Sequence, residues 1–588
     1  MGKAASGLRI AAAAAAGMLA LAACGGGDSG GGTDSSSQGA GPQKGGTLTF
    51  LTSSEKLQHL DPTRAYTGED LAFINGYLGR TLTAYTLSPD SKSATKLVGD
   101  LATDTGTPSN GGKDWAFTLR DGVKWQDGSD VTCADVKYGV SRTFAQTVIT
   151  DGPTYALVLL DIPKDGEGNP TYKGPYEPAK NDTAAFDKAI ECSADNKTIT
   201  FHLSRPAPDF ADTLTLGFYA VPKAKDTGEK YDSTVWSNGP YKISEYKTGA
   251  GGQLVLDRNP SWSAATDAYR PAYPDKIVMK FGVTPSTIDN RIKADAGADK
   301  QAVSRDALQT ESLTTVFGSE QYAKRRIDYL TPFTRYMAIN TLKVPNLKHR
   351  QAMMVALDRS QIIKVNGGSF AGVEADGLIK PTLAQDYAPT GLWDTLLGQK
   401  IPAAGDPAYA KKLIAESGAP MPTITFDYAK TPLGDQTAAV VQSSYAKAGI
   451  TVKLNPLERG SYYGIVLDKT KQNELSNSGW SPDWPNASTV IPPLTTPLGG
   501  FDLSRGSDAA YLKRIDAAQI EPDRAKQSVA WQELNKYVME QAWVIPTLFE
   551  KGQRLAGSKV GSKSGPDGKV YNWAAYGSWP YADMYVQK

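Results

Sequence analysis

Apolar and polar positions along this chain repeat with two different periods, and segments of the two kinds follow one another with turn residues between them. After Gly45-Gly46, the run Thr47-Leu48-Thr49-Phe50 alternates in the manner of a half-buried strand. The clearest stretch begins at Asp406, a helix-capping residue followed by Pro407 at the first helical position, and its helix is expected to end at Gly418. Thr423 to Tyr428 alternates as a strand, a second helix is predicted from about Asp435 to Ala448 with Gly449 behind it, and Ile450 to Leu454 reads as the next strand. This βαβ unit requires a crossover and favours a parallel sheet with a ligand crevice at the carboxyl ends of its strands. Thr132 and Asp135 form a capping pair before Val136, Val140 and Phe144, and a helix from about Asp523 carries Trp531, Leu534, Val538 and Ala542 on one side; both stripes, Trp531 included, read as core. The chain is of the α/β class, without a detectable internal repeat.

One apolar run breaks this pattern. Lys3 and Arg9 precede a stretch from Ile10 to Ala23 that stops at Leu21-Ala22-Ala23-Cys24, and its proportions are those of a secretory signal too short to span a bilayer. It looks like a lipoprotein signal peptide, residues 1–23, whose lipobox would make Cys24 the mature, diacylated N-terminus. An ordinary secretion signal with a fortuitous cysteine is the alternative. Gly and Ser dominate from Gly25 to Gly41, so residues 24–43 are expected to be a flexible tether between lipid anchor and folded chain.

Without Lys3 and Arg9 the formal charge falls from +1 to about −1, and there is no Lys/Arg run, so a nucleic-acid partner is not expected. Beyond Cys24 there are only Cys133 and Cys192. Export would permit one disulfide between them, contributing about 4 kcal/mol in the chain-entropy model; two separate buried thiols remain the other reading. His59, His202 and His349 stand far apart and outside any zinc-binding spacing. Gly367-Gly368-Ser369-Phe370-Ala371 lacks the last glycine of a nucleophile elbow, Ser93-Ala94-Thr95-Lys96 lacks companion motifs, and no phosphate-binding loop occurs. No cofactor, no metal and no catalytic residue are expected, and the chain does not read as an enzyme.

Five segments taken in order resemble the peptide-type solute-binding proteins of ABC importers, the dipeptide- and oligopeptide-binding group known as family 5. They are Phe117 to Gly128 with Val131 to Val136, Asn238-Gly239-Pro240-Tyr241, Arg258-Asn259-Pro260-Ser261-Trp262, Thr334 to Asn340, and Arg350 to Arg359. The resemblance implies a two-lobed periplasmic-binding-protein-like fold (class II-type, cluster C) with an additional inserted domain in lobe I. Lobe I would combine residues 44–85, 206–330 and 547–588, the insert 86–205, and lobe II 331–546, with strand crossings near Tyr329 to Thr334 and Trp543 to Leu548 as the hinge.

In oligopeptide-binding relatives a Gly-Trp pair, two variable residues and an Asp meet the ligand, and that Asp pairs with the peptide α-ammonium. Gly479-Trp480-Ser481-Pro482-Asp483 matches, so Asp483 is expected to take the ammonium, with Gly479, Trp480 and Ser481 beside it. Trp480 reads equally well as a core residue, and Asp483 as a turn former before Pro485. The resemblance further implies a monomer that captures oligopeptides at the outer face of the cell membrane and hands them to an ABC permease with ATPase subunits. Asn486-Ala487, where many members have Asp-Pro, leaves room for a nickel chelate, an oligosaccharide or another small solute, and an exported hydrolase or cell-wall interaction protein is a third reading.

Overall fold

The computed structural model describes residues 41–177 and 182–587. The leader, the lipobox with Cys24, and the Gly/Ser segment up to residue 40 lie outside the described residues.

Three sheets with separate apolar clusters organise the fold. The first has five strands in the order Ala302–Ser304, Thr47–Leu51, Lys276–Lys280, Gln253–Arg258, Tyr241–Lys247, and it packs Leu48, Phe50, Phe73 and Tyr77 against Tyr581 from the chain end. The second has six strands, ordered Gly372–Glu374, Val544–Leu555, Arg326–Ile339, Leu475–Trp480, Ile424–Ala429, Val452–Leu457. The third has four, ordered Thr107–Ser109, Asp114–Thr118, Thr198–His202, Ile190–Cys192, over a cluster with Phe117, Val136, Val140 and Phe201.

The βαβ unit forms with Ile424–Ala429 and Val452–Leu457 in parallel register. Asp406 caps the helix Pro407–Glu416 through Tyr409 N, and Gly418 follows in the left-handed region at φ 67°. The second helix begins at Pro432, earlier than the position of Asp435 indicated: Thr431 caps it by accepting from Gly434 N at 2.9 Å. Gly434 is no turn residue there, because a Cβ would sit 2.2 Å from the Ala429 carbonyl oxygen. Thr132 and Asp135 form the reciprocal capping box of Cys133–Arg142, and Gly139 on this helix lets the Tyr219 carbonyl approach to where a Cβ would lie only 1.8 Å away. Trp531, Leu534 and Val538 are buried on Arg524–Glu540; Ala542 is buried too but lies past that helix, at φ 48°, where the chain turns into Val544–Leu555.

The four-stranded sheet and its helix are stitched to the five-stranded sheet by buried charge. Cys133 and Cys192 are joined, with Cα atoms 5.9 Å apart. Arg142 forks onto Asp61 at 2.7 and 2.6 Å and reaches Asp226 at 3.1 Å. Arg270 forks onto Asp100 at 2.8 and 2.6 Å, touches Asp267 at 3.2 Å, and donates to the Asn75 carbonyl; Arg80 joins the same Asp100 at 3.0 Å. Every charge in this group has an opposite partner and a fork of hydrogen bonds, the condition under which buried ions are tolerated.

Truncating one member strands the rest. Arg270→Ala is expected to cost about 3–5 kcal/mol, because Asp100 and Asp267 keep their burial and lose a cation. Lys124→Ala, at the exposed Lys124–Asp130 pair, should cost under about 1 kcal/mol. Chemical denaturation of the two variants measures the contrast, and equal losses would refute it.

Candidate ligand-binding cleft

The strand Leu475–Trp480 leaves the six-stranded sheet into the segment Ser481 to Pro485, which shares a cavity with Tyr66 to Glu69 and with Ala574 to Gly577. A cavity of about 450 Å³ lies there. Ser481 and Asp483 border it from one side, Tyr66 and Glu69 from the start of the helix Gly68–Tyr77, and Glu550 and Arg554 from the strand Val544–Leu555.

Its three carboxylates differ in company. Glu69 is paired with Arg554 at 2.8 Å and Glu550 with Arg335 at 2.5 Å. Among the described residues Asp483 has no cation as partner: its Oδ2 accepts from Tyr66 OH at 3.1 Å and from Tyr155 OH, at the start of the helix Tyr155–Leu159. Burial pushes the Asp483 carboxyl above the usual carboxylate range, and the two hydroxyls pull back only part of that shift. Both phenols are driven upward, by burial first and then by the Asp483 charge, so they stay protonated as donors. The result is a partly enclosed negative charge held by neutral dipoles, ready for a cationic group.

Trp484, next in the chain, closes one end of the cavity. Its ring meets Tyr155 edge to face at 4.7 Å between centroids, and its Nε1 donates to Asp209 Oδ2 at 3.1 Å, which also accepts from Ser488 Oγ at 2.6 Å. Asp212, one turn from Asp209, is pushed up to about 7 by burial and then by that neighbouring charge, and accepts from Tyr85 OH at 2.9 Å.

Of the residues singled out by sequence, Ser481 and Asp483 border the cavity while Gly479 and Trp480 do not. Trp480 Nε1 donates to the Thr489 carbonyl at 2.6 Å and its ring packs on Phe501 at 4.9 Å. Gly479 pairs with Arg335 across the sheet, and a Cβ would come 2.6 Å from Arg335 Nη1, so its bare Cα makes room for the arm that reaches Glu550. Pairing with Ile424–Ala429 ends at Ser476, which leaves the edge from Asn477 to Trp480 without a neighbouring strand on that side. Asn486 is buried, bonds Gln527 at 3.1 Å and caps a short turn through Ser488 N; it is set back from the cavity. Among the described residues no group of His, Cys, Asp or Glu could hold a metal, and no helix is long and apolar enough to cross a membrane.

Comparison with known proteins agrees with this architecture. Residues 96–502 match the family described as bacterial extracellular solute-binding proteins, family 5, middle region, and the chain belongs to that family. Its members are binding proteins of transport systems rather than enzymes, and this chain is one of them. It is 24% identical over 466 residues to the oligopeptide-binding protein OppA of Bacillus subtilis, covering 75% of this chain and 77% of the relative. It is 25% identical over 472 residues to the periplasmic murein peptide-binding protein MppA of Escherichia coli, covering 76% and 79%. Among solved structures, clavulanic acid biosynthesis oligopeptide binding protein 2 superposes with a TM-score of 0.81 at 27% identity over 93% of this chain and 96% of that one. The fold is the mixed α/β fold of periplasmic peptide-binding proteins.

The unpaired carboxylate has a consequence for stability. An acid pushed up on folding holds its proton longer in the folded than in the unfolded chain, so stability falls as pH rises from the ordinary carboxylate range through the shifted one. Asp483→Asn is therefore expected to melt above the parent at neutral pH in the absence of ligand, with the gap closing near about pH 3, where the carboxyl is neutral in both states. Calorimetric melting across that range measures it; a variant less stable at neutral pH would count against an uncompensated charge.

Proposed function

We propose that this protein is a membrane-tethered extracellular receptor that captures oligopeptides in a cleft between two lobes and delivers them to an ABC permease with its ATPase subunits. One observation carries the reading: Asp483 offers a partly enclosed carboxylate with neutral donors and no cation, facing a cavity bounded from both sides. A peptide α-ammonium supplies the missing charge, and it is strongly held because each ion would otherwise be left alone on desolvation. The strand edge from Asn477 to Trp480 suits addition of an extended peptide through main-chain hydrogen bonds. Gly479 and Trp480 would then act through their backbone, with the indole serving the core.

The names of relatives support the same class: OppA of Bacillus subtilis is an oligopeptide-binding protein, and OppA of Haemophilus influenzae has been solved with the peptide RPPGFSPFR. In this reading lobe I spans residues 44–85, 206–330 and 547–588 with the insert 86–205, lobe II spans 331–546, and the two strands that cross between them form the hinge. Ligand touching both lobes favours the closed arrangement that a permease recognises. Diacylation at Cys24 and the tether behind it would keep a monomeric receptor at the outer face of the membrane.

Asp483→Ala should weaken binding of trialanine with a free N-terminus by about 3 kcal/mol, roughly a hundredfold, and that of its N-acetylated form by less than about threefold. Isothermal titration of both peptides against both proteins is the test. Equal losses for the two peptides would remove Asp483 from the ammonium site.

A further inference from the structure

At the end of the helix Gly68–Tyr77 that points away from Asp483, a cavity of about 740 Å³ opens between three parts of the chain. Glu69, in the first turn, borders the cavity at Asp483, whereas Arg80, past the last turn, borders this one, and the 10 helical residues between them span about 15 Å. The two cavities have no bordering residue in common. Val98 and Gly99, from the strand Leu97–Gly99, line this one together with Arg120; the loop Asp267 to Pro271 supplies a second wall, and Lys563, Ser564 and Asp583 near the chain end a third.

Its charges do not balance. Arg80, Arg120, Arg270 and Lys563 border it, against Asp100, Asp267 and Asp583. Asp100 and Asp267 are taken up by the forks of Arg80 and Arg270 described above. Asp583 is turned to its own neighbours, accepting from Ser562 Oγ at 2.7 Å and from Ser564 N at 2.9 Å, and burial pushes its carboxyl above the usual range. Two cations are left over. Arg120 donates through Nε to the Asp100 carbonyl at 2.7 Å and reaches the Gly99 and Thr103 carbonyls through Nη2 only at 3.5 Å, so the backbone aims its guanidinium while no described carboxylate neutralises it. Lys563 is exposed and forms no ion pair among the described residues, Asp583 included. The remaining lining has an apolar part, with Leu87, Val98 and Pro271 half-buried and the Tyr269 ring held by the Arg270 guanidinium at 4.8 Å from its centroid.

The geometry points to a binding site, separate from the cleft, for a small organic anion: a carboxylate-bearing molecule whose head lies on Arg120 and Lys563 and whose apolar body lies on Leu87, Val98 and Pro271. A guanidinium already fixed through Nε keeps its remaining N–H groups for the two oxygens of a carboxylate, and a flexible ammonium at the rim can follow them. The cavity has the size of a small-molecule site, and its mixture of apolar surface with a few placed polar groups is the usual lining of one. Behind it the matched forks of Arg80 and Arg270 hold the walls, so little ordering is left for the ligand to induce. The charge preference is opposite to that at Asp483, where a cation is the missing group. Nothing in this assignment depends on what the cleft binds.

The test is isothermal titration of the purified protein with hydrocinnamate, an aryl carboxylate, and with hydrocinnamide, its uncharged amide. Hydrocinnamate should bind at a single site with a Kd of about 1 mM or tighter, and the amide at least about tenfold more weakly, because only the acid meets the two cations. Lys563→Gln and Arg120→Gln should each weaken hydrocinnamate by at least about fivefold, with melting curves to check the fold, while Asp483→Ala leaves its affinity within about twofold. Arg120 also anchors the Asp100 carbonyl, so if Arg120→Gln melts early the exposed Lys563→Gln decides alone. Absence of hydrocinnamate binding overturns the site, as does equal affinity for acid and amide, or an affinity that Asp483→Ala lowers and Lys563→Gln does not.

Discussion

Two antiparallel strands, Arg326–Ile339 and Val544–Leu555, carry the mechanical burden of this fold, because they run together out of the six-stranded sheet toward the five-stranded one. Ala338 pairs with Val544 at one end and Arg326 with Leu555 at the other, where Leu555 packs with Leu51 and Ile288. Their register breaks between Leu330 and Thr334, a stretch containing Pro332, which has no N–H to give. The carbonyls freed there do not go unmet. Lys380 places its buried ammonium between them, donating to the Phe333 oxygen at 2.6 Å and the Glu550 oxygen at 2.9 Å, at the expense of a basicity pushed down to about 7 by burial. An irregular crossing can therefore form part of the cavity wall, and Glu550, Phe333 and Tyr329 are delivered to that wall by the same strands.

Charge is handled in two ways on either side of that crossing. Where the four-stranded and five-stranded sheets meet, Arg142, Arg270 and Arg80 are forked and matched, which fixes one geometry and punishes any other. Around the cavity the matching stops short. Arg554 neutralises Glu69, Arg335 neutralises Glu550, and Asp483 is left to two phenols. The first cavity thus borders a carboxylate, Asp483, that no described cation neutralises, and under the proposed function a ligand of opposite charge would supply what is missing.

How much of this was legible in the chain depends on the distance over which each interaction acts. The capping residues Thr132, Asp406 and Asp523 declare themselves within three residues of the N–H they satisfy, so their helices were readable. The start of the next helix was less legible: Thr431 caps it four residues before Asp435, and only the carbonyl of Ala429, supplied by the preceding strand, explains a glycine at 434 inside that helix. Asp483 could be singled out by resemblance, but its donors could not: Tyr66 and Tyr155 stand 417 and 328 residues away, and nothing in their local sequence distinguishes them from core tyrosines. The departure at Asn486-Ala487 looked like a change of ligand chemistry when read along the chain. In three dimensions Asn486 bonds Gln527 behind the cavity wall, where a change of residue alters packing.

The polar contacts that hold the loop Ser481 to Ser488 against the opposite side are two phenols on Asp483, and one indole and one hydroxyl on Asp209, beside the ring contact of Trp484 with Tyr155. Each of these groups exchanges water for a protein partner, so the net gain per bond is only about 0.5–1.5 kcal/mol. Against that gain stands the desolvation of Asp483, which no cation among the described residues repays. Under the proposed function, an empty closed state would therefore be held weakly and taxed electrostatically. Under the proposed function, an ammonium group entering the cleft would remove the tax only in a closed state that shields the carboxylate from water, and this differential is what a ligand needs in order to shift the equilibrium. Under the proposed function, the absence of a lysine or arginine beside Asp483 among the described residues has a use: a built-in cation would stabilise closure without cargo and leave the ligand nothing to contribute.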